Sequence, residues 1–460
     1  MTDQIAQEPA ADADDYALDA RFVTSILLGI AAGDAARIAE LTDALHCADI
    51  ADLLEQLAPE KRRELMLLAP GVVDGEVLSE LDESLREEII AFLPTEALGE
   101  ALRELESDDV VDLIEDLEEH EQEALLDTLE DADRAAVEAA LSYPEFSAGR
   151  LMQREVVAVP EHWDVGTSID HMRARDDLPE AFYHVILVDP RHRPTGYATL
   201  GKIMGSRRLV PLRDICEDSF RTIPATQDEG DVAYAFNQYH LISAPVVDED
   251  GRLAGVITID DAMVVLDEEH EEDVLRLGGV GDESLSDRTM QIFFQRLPWL
   301  GVNLLTAILA SLVIAQFEDT IAVVVALAVL MPIVASMGGN AGTQSLTVAV
   351  RALATKDLTG SNALRVVMRE TAAGLLNGIV FGIVMAVVAV LWFGMPVLGL
   401  VIAAAMVVNL IVAGLAGVLV PIALERTGID PALASGTFVT TVTDVVGFFA
   451  FLGLAGAMLL

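Results

Sequence analysis

The sequence predicts a mixed architecture: an all-α superhelical N-terminal domain, a duplicated α+β unit, and a membrane domain of five transmembrane helices. Three observations predict it. Of 460 residues, 75 are acidic and 28 basic, a formal net charge of −47, yet the mean hydropathy is +0.43. Residues 297–460 hold only seven of the acids and five of the bases, so residues 1–296 carry the other 68 and 23, a net of −45. Charge and apolarity are segregated along the chain, which excludes one uniform globule. The third observation is repetition, since matched segments recur twice within the acidic half.

The first 21 residues are acidic and lack an apolar core, so they read as a disordered tail rather than a secretory signal. Cys47 and Cys216 are too few for a disulfide framework and fit a reducing compartment. A net charge of −45 repels phosphate backbones, which argues against nucleic acid and makes small cations the natural partners.

Residues 22–140 are expected to be helical and repetitive. Asp-Ile-Ala-Asp-Leu-Leu-Glu-Gln-Leu begins at Asp49, and Asp-Val-Val-Asp-Leu-Ile-Glu-Asp-Leu begins at Asp109, an offset of 60. A second echo runs from Lys61 and from Leu85. Stacked short helices form a superhelix when each buries an apolar stripe against its neighbours. The leucines are its core and most of the acids its solvated face.

From 141 to 267 the pattern changes to short β runs with helices between them. Pro245-Val246-Val247, the acidic turn Asp248–Gly251, and Leu253–Thr258 read as strand, tight turn, strand. Val185–Asp189 and Thr195–Leu200 repeat that plan around Arg191-His192-Arg193, so two copies are expected, about 145–210 and 211–267. Residues 268–296 follow as a connecting region. Asp267–Asp273 has six acids in seven residues, which repel at spacings of three and four on a helix.

Leu297–Phe317 has 21 residues without a charge, Thr320–Val350 has 31 and Thr371–Leu424 has 54. A bilayer core takes about 20 helical residues, so the longest run must fold back, at Gly394-Met395-Pro396. Five spans are expected: 297–317, 320–350, 371–393, 396–424 and 431–460. Arg351, Lys356, Arg365 and Arg369 crowd the 351–370 connection, while 318–319 and 394–395 carry no base. The positive-inside rule then puts the N-terminus in the cytoplasm and the C-terminus outside a cell (inner) membrane.

Polar residues within the spans carry the chemistry. In the second, Gly338 and Gly342 read as helix packing. Asn340 and Gln344 are costly in lipid unless they meet water or each other. Gly374, Gly378 and Gly382 form a packing stripe in the third. In the fifth, Thr437, Thr440, Thr441 and Asp444 share one face. Asp444 stands about 20 Å along the helix from Pro431, and no Lys, Arg or His lies within the spans to pair with it. A protonated Asp bonded to a neighbour is the bland alternative; a permeating cation is the simpler partner. Carboxylate, hydroxyl and amide oxygens form a hard donor set suited to Mg²⁺, Ca²⁺ or Mn²⁺.

Ala244–Asp261 resembles the signature of cystathionine-β-synthase (CBS) domains, which implies a tandem CBS pair. Such pairs bind adenosine nucleotides such as ATP. The resemblance assigns ribose contacts to Thr258 and Asp261, while Lys202 holds the Asp position in the first copy. A purely structural pair is the alternative.

The domain order, Gly338–Ser345 and Thr440–Asp444 together resemble the MgtE magnesium channels over residues 22–460. The resemblance implies a homodimer in membrane lipid and a pore lined by the second and fifth spans; the sequence offers no nucleophile–base pair, P-loop or zinc-ligand spacing, so no enzymatic activity is expected. Asp444 is then the pore Mg²⁺ ligand and Asn340 a pore-lining residue. It implies closure by cytosolic Mg²⁺ at Asp108 and Asp112, at Asp261, Glu269, Glu272 and Asp273, and at Asp430. His240 stands where the family commonly has an acid. Two other classes remain open on the residues alone: a secondary transporter coupled to H⁺ or Na⁺, and a nucleotide-sensing membrane protein without transport.

Overall fold

The computed structural model describes residues 18–460 apart from 94, 104, 116, 118, 130, 176–177, 180–181, 218–219 and 281–288. Nearly all of the expected acidic tail lies outside the described residues. The chain divides into two compact units, Met1–Asp267 and Glu268–Leu460.

The first unit opens with short helices between Ala20 and Leu141, the two Asp-initiated repeats forming Cys47–Gln56 and Ser107–Glu115. Many of the acids have a local task here. Asp19, Asp34, Asp74 and Asp82 are helix N-caps whose carboxylates accept from backbone N–H groups at the helix start, relieving donors that a helix leaves unpaired. Inside the helices the apolar stripe is buried: Leu53, Leu54, Leu113 and Ile114 are inaccessible to solvent. Asp52, Glu55 and Asp112 face outward, as the repeat predicts.

The duplication that follows is visible in strand pairing. Ala158–Pro160 runs parallel to His184–Val188, which pairs antiparallel with Pro194–Thr199. Ile223–Pro224, Ser243–Val247 and Leu253–Thr258 repeat that order in a second three-stranded sheet. Even the register shift recurs, at Leu187/Val188 and Val246/Val247. In the second turn Gly251 takes a positive φ of 75°, and His192 takes 62° at the matching place in the first. A non-glycine residue in that region is uncommon; Asp189 and Asp248 support both turns by accepting backbone N–H bonds.

The second unit has five helices long and apolar enough to cross a membrane: Thr289–Ala315, Ala326–Ala354, Ala363–Phe393, Pro396–Thr427 and Pro431–Leu459. Their ends differ from the uncharged runs. The first begins eight residues before Leu297, and the third begins at Ala363 rather than Thr371. A helix continues through charged residues once it leaves the hydrocarbon, so uncharged length underestimates it. The second starts at Ala326 rather than Thr320, because Glu318–Val323 forms a separate short helix. β-Branched Val323-Val324-Val325 marks the break, in line with their poorer helix propensity.

The fourth span is the hub of this unit, with Val401, Ile402, Ala405 and Met406 inaccessible. The glycine stripe of the third span lies against its backbone: a Cβ at Gly378 would come within 2.8 Å of Val407 Cα, and one at Gly382 within 2.9 Å of Ala403 O. That is the close packing expected of small residues in membranes.

Candidate functional site

The fifth span starts at Asp430, whose carboxylate caps it by accepting from Ala432 N–H at 2.7 Å, with Pro431 at the first helical position. Two turns further on, the threonines begin. Thr440 donates its hydroxyl proton to Gly436 O at 2.7 Å, Thr441 to Thr437 O at 2.6 Å, and Thr443 to Thr440 O at 2.9 Å. Thr443 is buried, whereas Thr437, Thr440, Thr441 and Asp444 lie on an accessible face. With their protons committed to backbone carbonyls, the Thr440 and Thr441 hydroxyls present lone pairs outward. Asp444 is half-buried, and among the described residues it makes no hydrogen bond or ion pair.

The second span carries a matching stripe. Ser336, Asn340 and Gln344, spaced by four, are all exposed, and Asn340 Nδ2 lies 3.4 Å from Ser336 Oγ. Its glycines face the other way. A Cβ at Gly338 would overlap the Asn409 side chain, and one at Gly342 would come within 2.6 Å of Val439. Small residues thus seat the second span against the fourth and fifth, while its amides stay open. Exposed amides within a span require water or another polar chain beside them.

The acidic half supplies a second site. Asp108 is 8 % exposed. Burial, and then the charges of Asp261, Asp109 and Glu106, hold its carboxyl well above the usual carboxylate range. Burial, with Asp261 next, pushes Asp109 up to about 7. Burial, followed by Glu155 and Asp261, raises Glu106, whose carboxylate accepts from Gln153 Nε2 at 2.7 Å. Asp261 is itself raised by burial, against the lowering effect of Thr258. Thr258 donates to it twice, from Oγ1 at 2.5 Å and N–H at 3.1 Å, which is capping chemistry at the start of Ile259–Leu277. Asp112 is arranged differently, exposed and ion-paired with the buried Arg86 guanidinium. Although these carboxylates are neighbours, among the described residues no group of three or more His, Cys, Asp or Glu side chains converges on a metal-holding geometry.

Farther along the same helix, Glu272 pairs with Arg276 at 2.6 Å, and Arg276 also reaches Asp430 at 3.2 Å. Burial and then Asp430 raise the Asp273 carboxyl, with Arg276 and His270 opposing. Glu269 is exposed. Leu277 packs against Leu346, Val350 and Ala432, so the end of the connecting helix touches both the second and fifth spans.

The sheets flank a small cleft lined by Phe182, Tyr183, His184, Ile186, Ser243 and Thr258 among others. His184 Nδ1 is bonded to Ser243 Oγ, and its ring lies 4.3 Å from that of Tyr197. Burial lowers its pKa and so favours the neutral imidazole. Thr199 and Lys202 repeat the place of Thr258 and Asp261 in the first copy. There Thr199 accepts from Lys202 N–H, and Lys202 Nζ pairs with Glu217 at 3.0 Å. His240 is a C-cap with φ 53°, exposed and outside this cleft's lining.

Three polar residues of the membrane unit escaped sequence reasoning. Asn409 is inaccessible and donates to Val334 O at 2.9 Å. Glu370 accepts from Ser345 Oγ at 3.0 Å. Asn303 accepts from Thr437 Oγ1 at 3.0 Å. Asn303 and Asn409 are amides within uncharged runs, which is a sequence signal, whereas Glu370 follows Arg369 in a charged connection; the partner of each lies 25 or more residues away.

Family models agree with this organisation. That of MgtE, a divalent cation transporter, matches residues 331–454, the MgtE intracellular N domain 45–146, and the CBS domain 212–268. A Thermus thermophilus protein named magnesium transporter MgtE is 32 % identical over 448 residues, covering 96 % of this chain and 99 % of that one. A Bacillus subtilis protein of the same name is 29 % identical over 419 residues, covering 91 % and 93 %. A crystal structure of the cytosolic domain of the Mg²⁺ channel MgtE in complex with ATP has 29 % identity, covers 53 % of this chain and 99 % of its own, and gives a TM-score of 0.49. Five membrane-spanning helices, a helical N-terminal domain and near-full-length similarity together make this chain a member of the MgtE family of divalent cation transporters.

Proposed function

We propose that the chain is a Mg²⁺-selective channel. A homodimer carries Mg²⁺ inward down the membrane potential, and cytosolic Mg²⁺ closes it. The observation that carries this reading is Asp444: a half-buried carboxylate with no bonded partner among the described residues, on one face with threonines whose lone pairs point outward. An anion within a span costs about 2.5–3.5 kcal/mol on insertion scales, and a divalent ion passing beside it offsets that cost. Asn340 and Gln344 complete an oxygen-lined wall. Its few protein ligands suit an ion that keeps most of its water. Two relatives over nearly the whole chain are named magnesium transporters.

A negative-inside potential pulls a divalent ion inward by about 4.6 kcal/mol per 100 mV, so no coupling ion is needed and a gate is. Two acidic groups serve as the sensor. Asp108, Asp261 and their neighbours, with Asp112 beside them, form one. Glu269, Glu272, Asp273 and Asp430 form the other. Neighbouring carboxylates that do not converge suit a hydrated Mg²⁺ held through its waters. Each ion shifts the gate only by its differential affinity for the closed form. In this reading the N-terminus is cytoplasmic and the C-terminus external. ATP, entering the cleft at Thr258, biases the same equilibrium through Asp261.

The test is Mg²⁺ flux into proteoliposomes under a potassium diffusion potential. Uptake should follow voltage, ignore imposed pH and Na⁺ gradients, and fall as Mg²⁺ on the N-terminal side rises through the millimolar range. Flux that requires a pH or Na⁺ gradient would make the protein a coupled transporter instead. Absence of flux under every gradient, with ATP still bound, would leave a nucleotide sensor.

A further inference from the structure

Thr437 differs from the other accessible threonines of its helix. Thr440 and Thr441 return their protons to carbonyls one turn back. Thr437 sends its proton across to Asn303 Oδ1 on the first span, 134 residues earlier, at 3.0 Å. From this geometry, and resting on the ion-pathway reading above, we infer that Asn303 is a positioning residue for permeation. It holds the Thr437 hydroxyl so that its lone pairs face the route that leads to Asp444.

The direction in which a hydroxyl points decides what it offers a passing ion. A threonine O–H is one donor and two acceptors, and it rotates to suit its surroundings. The waters around Mg²⁺ are polarised and donate strongly, so they need acceptors. A hydroxyl free to aim its proton into the path opposes them; one whose proton is already bound accepts from them. Thr440 and Thr441 achieve this within their own helix, and Thr437 does so through Asn303. Asn303 is exposed and Thr437 half-buried, so the pair borders the accessible side of the fifth span. Seven residues, about 10 Å, separate Thr437 from Asp444. With Asn303 in place, every threonine on the Asp444 face has its proton committed, and the wall presents acceptors over nearly two turns.

A positioning role differs from simple helix bonding in what it discriminates. Mg²⁺ releases water reluctantly and passes with its shell, whereas Ca²⁺ tolerates varied coordination. Loss of an oriented acceptor should therefore reduce Mg²⁺ flux more than Ca²⁺ flux. Loss of a structural link should reduce both alike.

The experiment is a double-mutant cycle on the full chain in proteoliposomes, reading Mg²⁺ and Ca²⁺ flux separately. Asn303→Leu and Thr437→Val should each lower the Mg²⁺/Ca²⁺ flux ratio roughly three- to tenfold, within the span of measured interhelical hydrogen-bond couplings in membranes. The double variant should fall no further than either alone, and Thr437→Ser, which keeps the donor, should retain the ratio. If Asn303→Leu does not fold, the contrast between Thr437→Val and Thr437→Ser decides. Additive losses, or equal losses of both ions, overturn the role of Asn303. Asp444→Asn run in parallel separates the two claims: if it abolishes Mg²⁺ flux while the cycle is additive, only the positioning role fails; if it conducts normally, the pathway reading fails first.

Discussion

Asp261 is the charge that Asp108 responds to most strongly, although 153 residues separate them and Asp108 has carboxylate neighbours on its own helix. The repeat helix Ser107–Glu115 and the start of Ile259–Leu277 thus bring buried carboxyls together at the cost of mutual repulsion. All four shifted groups, Asp108, Asp109, Asp261 and Glu106, move upward. A carboxyl with a raised folded-state pKa contributes stability that is fully present below its unfolded value and is lost as pH rises through the folded value.

Without divalent ions, the apparent Tm should therefore fall between pH 5 and pH 8, part of the loss coming near pH 7, where Asp109 is pushed. The drop should be several degrees, on the order of 1–2 kcal/mol for a unit of this size. Millimolar Mg²⁺ should restore the pH 8 value, because a cation replaces the missing protons. Asp108→Asn with Asp109→Asn should flatten both the pH and the Mg²⁺ dependence. Thermal denaturation of the purified protein in EDTA and in Mg²⁺ across pH checks this, and a Tm that rises with pH would contradict it.

Arg276 supplies a cation of the chain's own between Glu272 and Asp430. Its removal leaves Asp273 beside Asp430 with their repulsion less balanced. Arg276→Ala should raise flux at low Mg²⁺ and move the closing midpoint to higher Mg²⁺. The shift should be about two- to fivefold, the size expected of one partly exposed ion pair. A flux titration against Mg²⁺ on the N-terminal side measures it.

Asn409 fills the space between two glycines. A Cβ at Gly338 would overlap its amide, and one at Gly447 would lie 2.7 Å from Nδ2. Gly338→Ala should destabilise the membrane unit by about 1–3 kcal/mol, as overpacking of a tight core does. Gly338→Ala with Asn409→Ala should recover part of that loss, since the smaller side chain makes room. Thermal stability in detergent, followed by size exclusion, reads both variants.

The hydroxyl of Thr258 lines the cleft between the sheets while bonding Asp261. Thr258→Val should therefore weaken ATP binding by about tenfold, near the value of a hydrogen bond to a charged or polar ligand. Calorimetric titration of the full protein with ATP measures the change, and an unaltered affinity would remove Thr258 from the nucleotide site.

Where residues recur or alternate, the sequence was readable. The sixty-residue offset led to the paired helices, the strand–turn–strand copies to the paired sheets, and the uncharged runs to the five spans. Span ends were misjudged where charged residues continue a helix beyond the hydrocarbon, as at Arg365, Arg369 and Glu370. On the fifth span, periodicity alone grouped Thr437, Thr440, Thr441 and Asp444. What periodicity does not encode is approach between distant segments. Asp109 reads as the first residue of a repeat until Asp261 comes near it, and Asn303 reads as a stray amide until Thr437 bonds it. Asp112 and Asp430 are sensor residues by resemblance; the sequence does not reveal that one pairs with Arg86 and that the other caps a helix and meets Arg276.

In the proposed pathway Asp444 shares an aqueous route with the transported ion. The direct measurement is voltage-driven Mg²⁺ uptake by Asp444→Asn, a near-isosteric change that removes the charge, in proteoliposomes whose protein is verified as folded. Uptake should fall to the level of empty vesicles. Uptake at the unmodified rate would contradict that pathway.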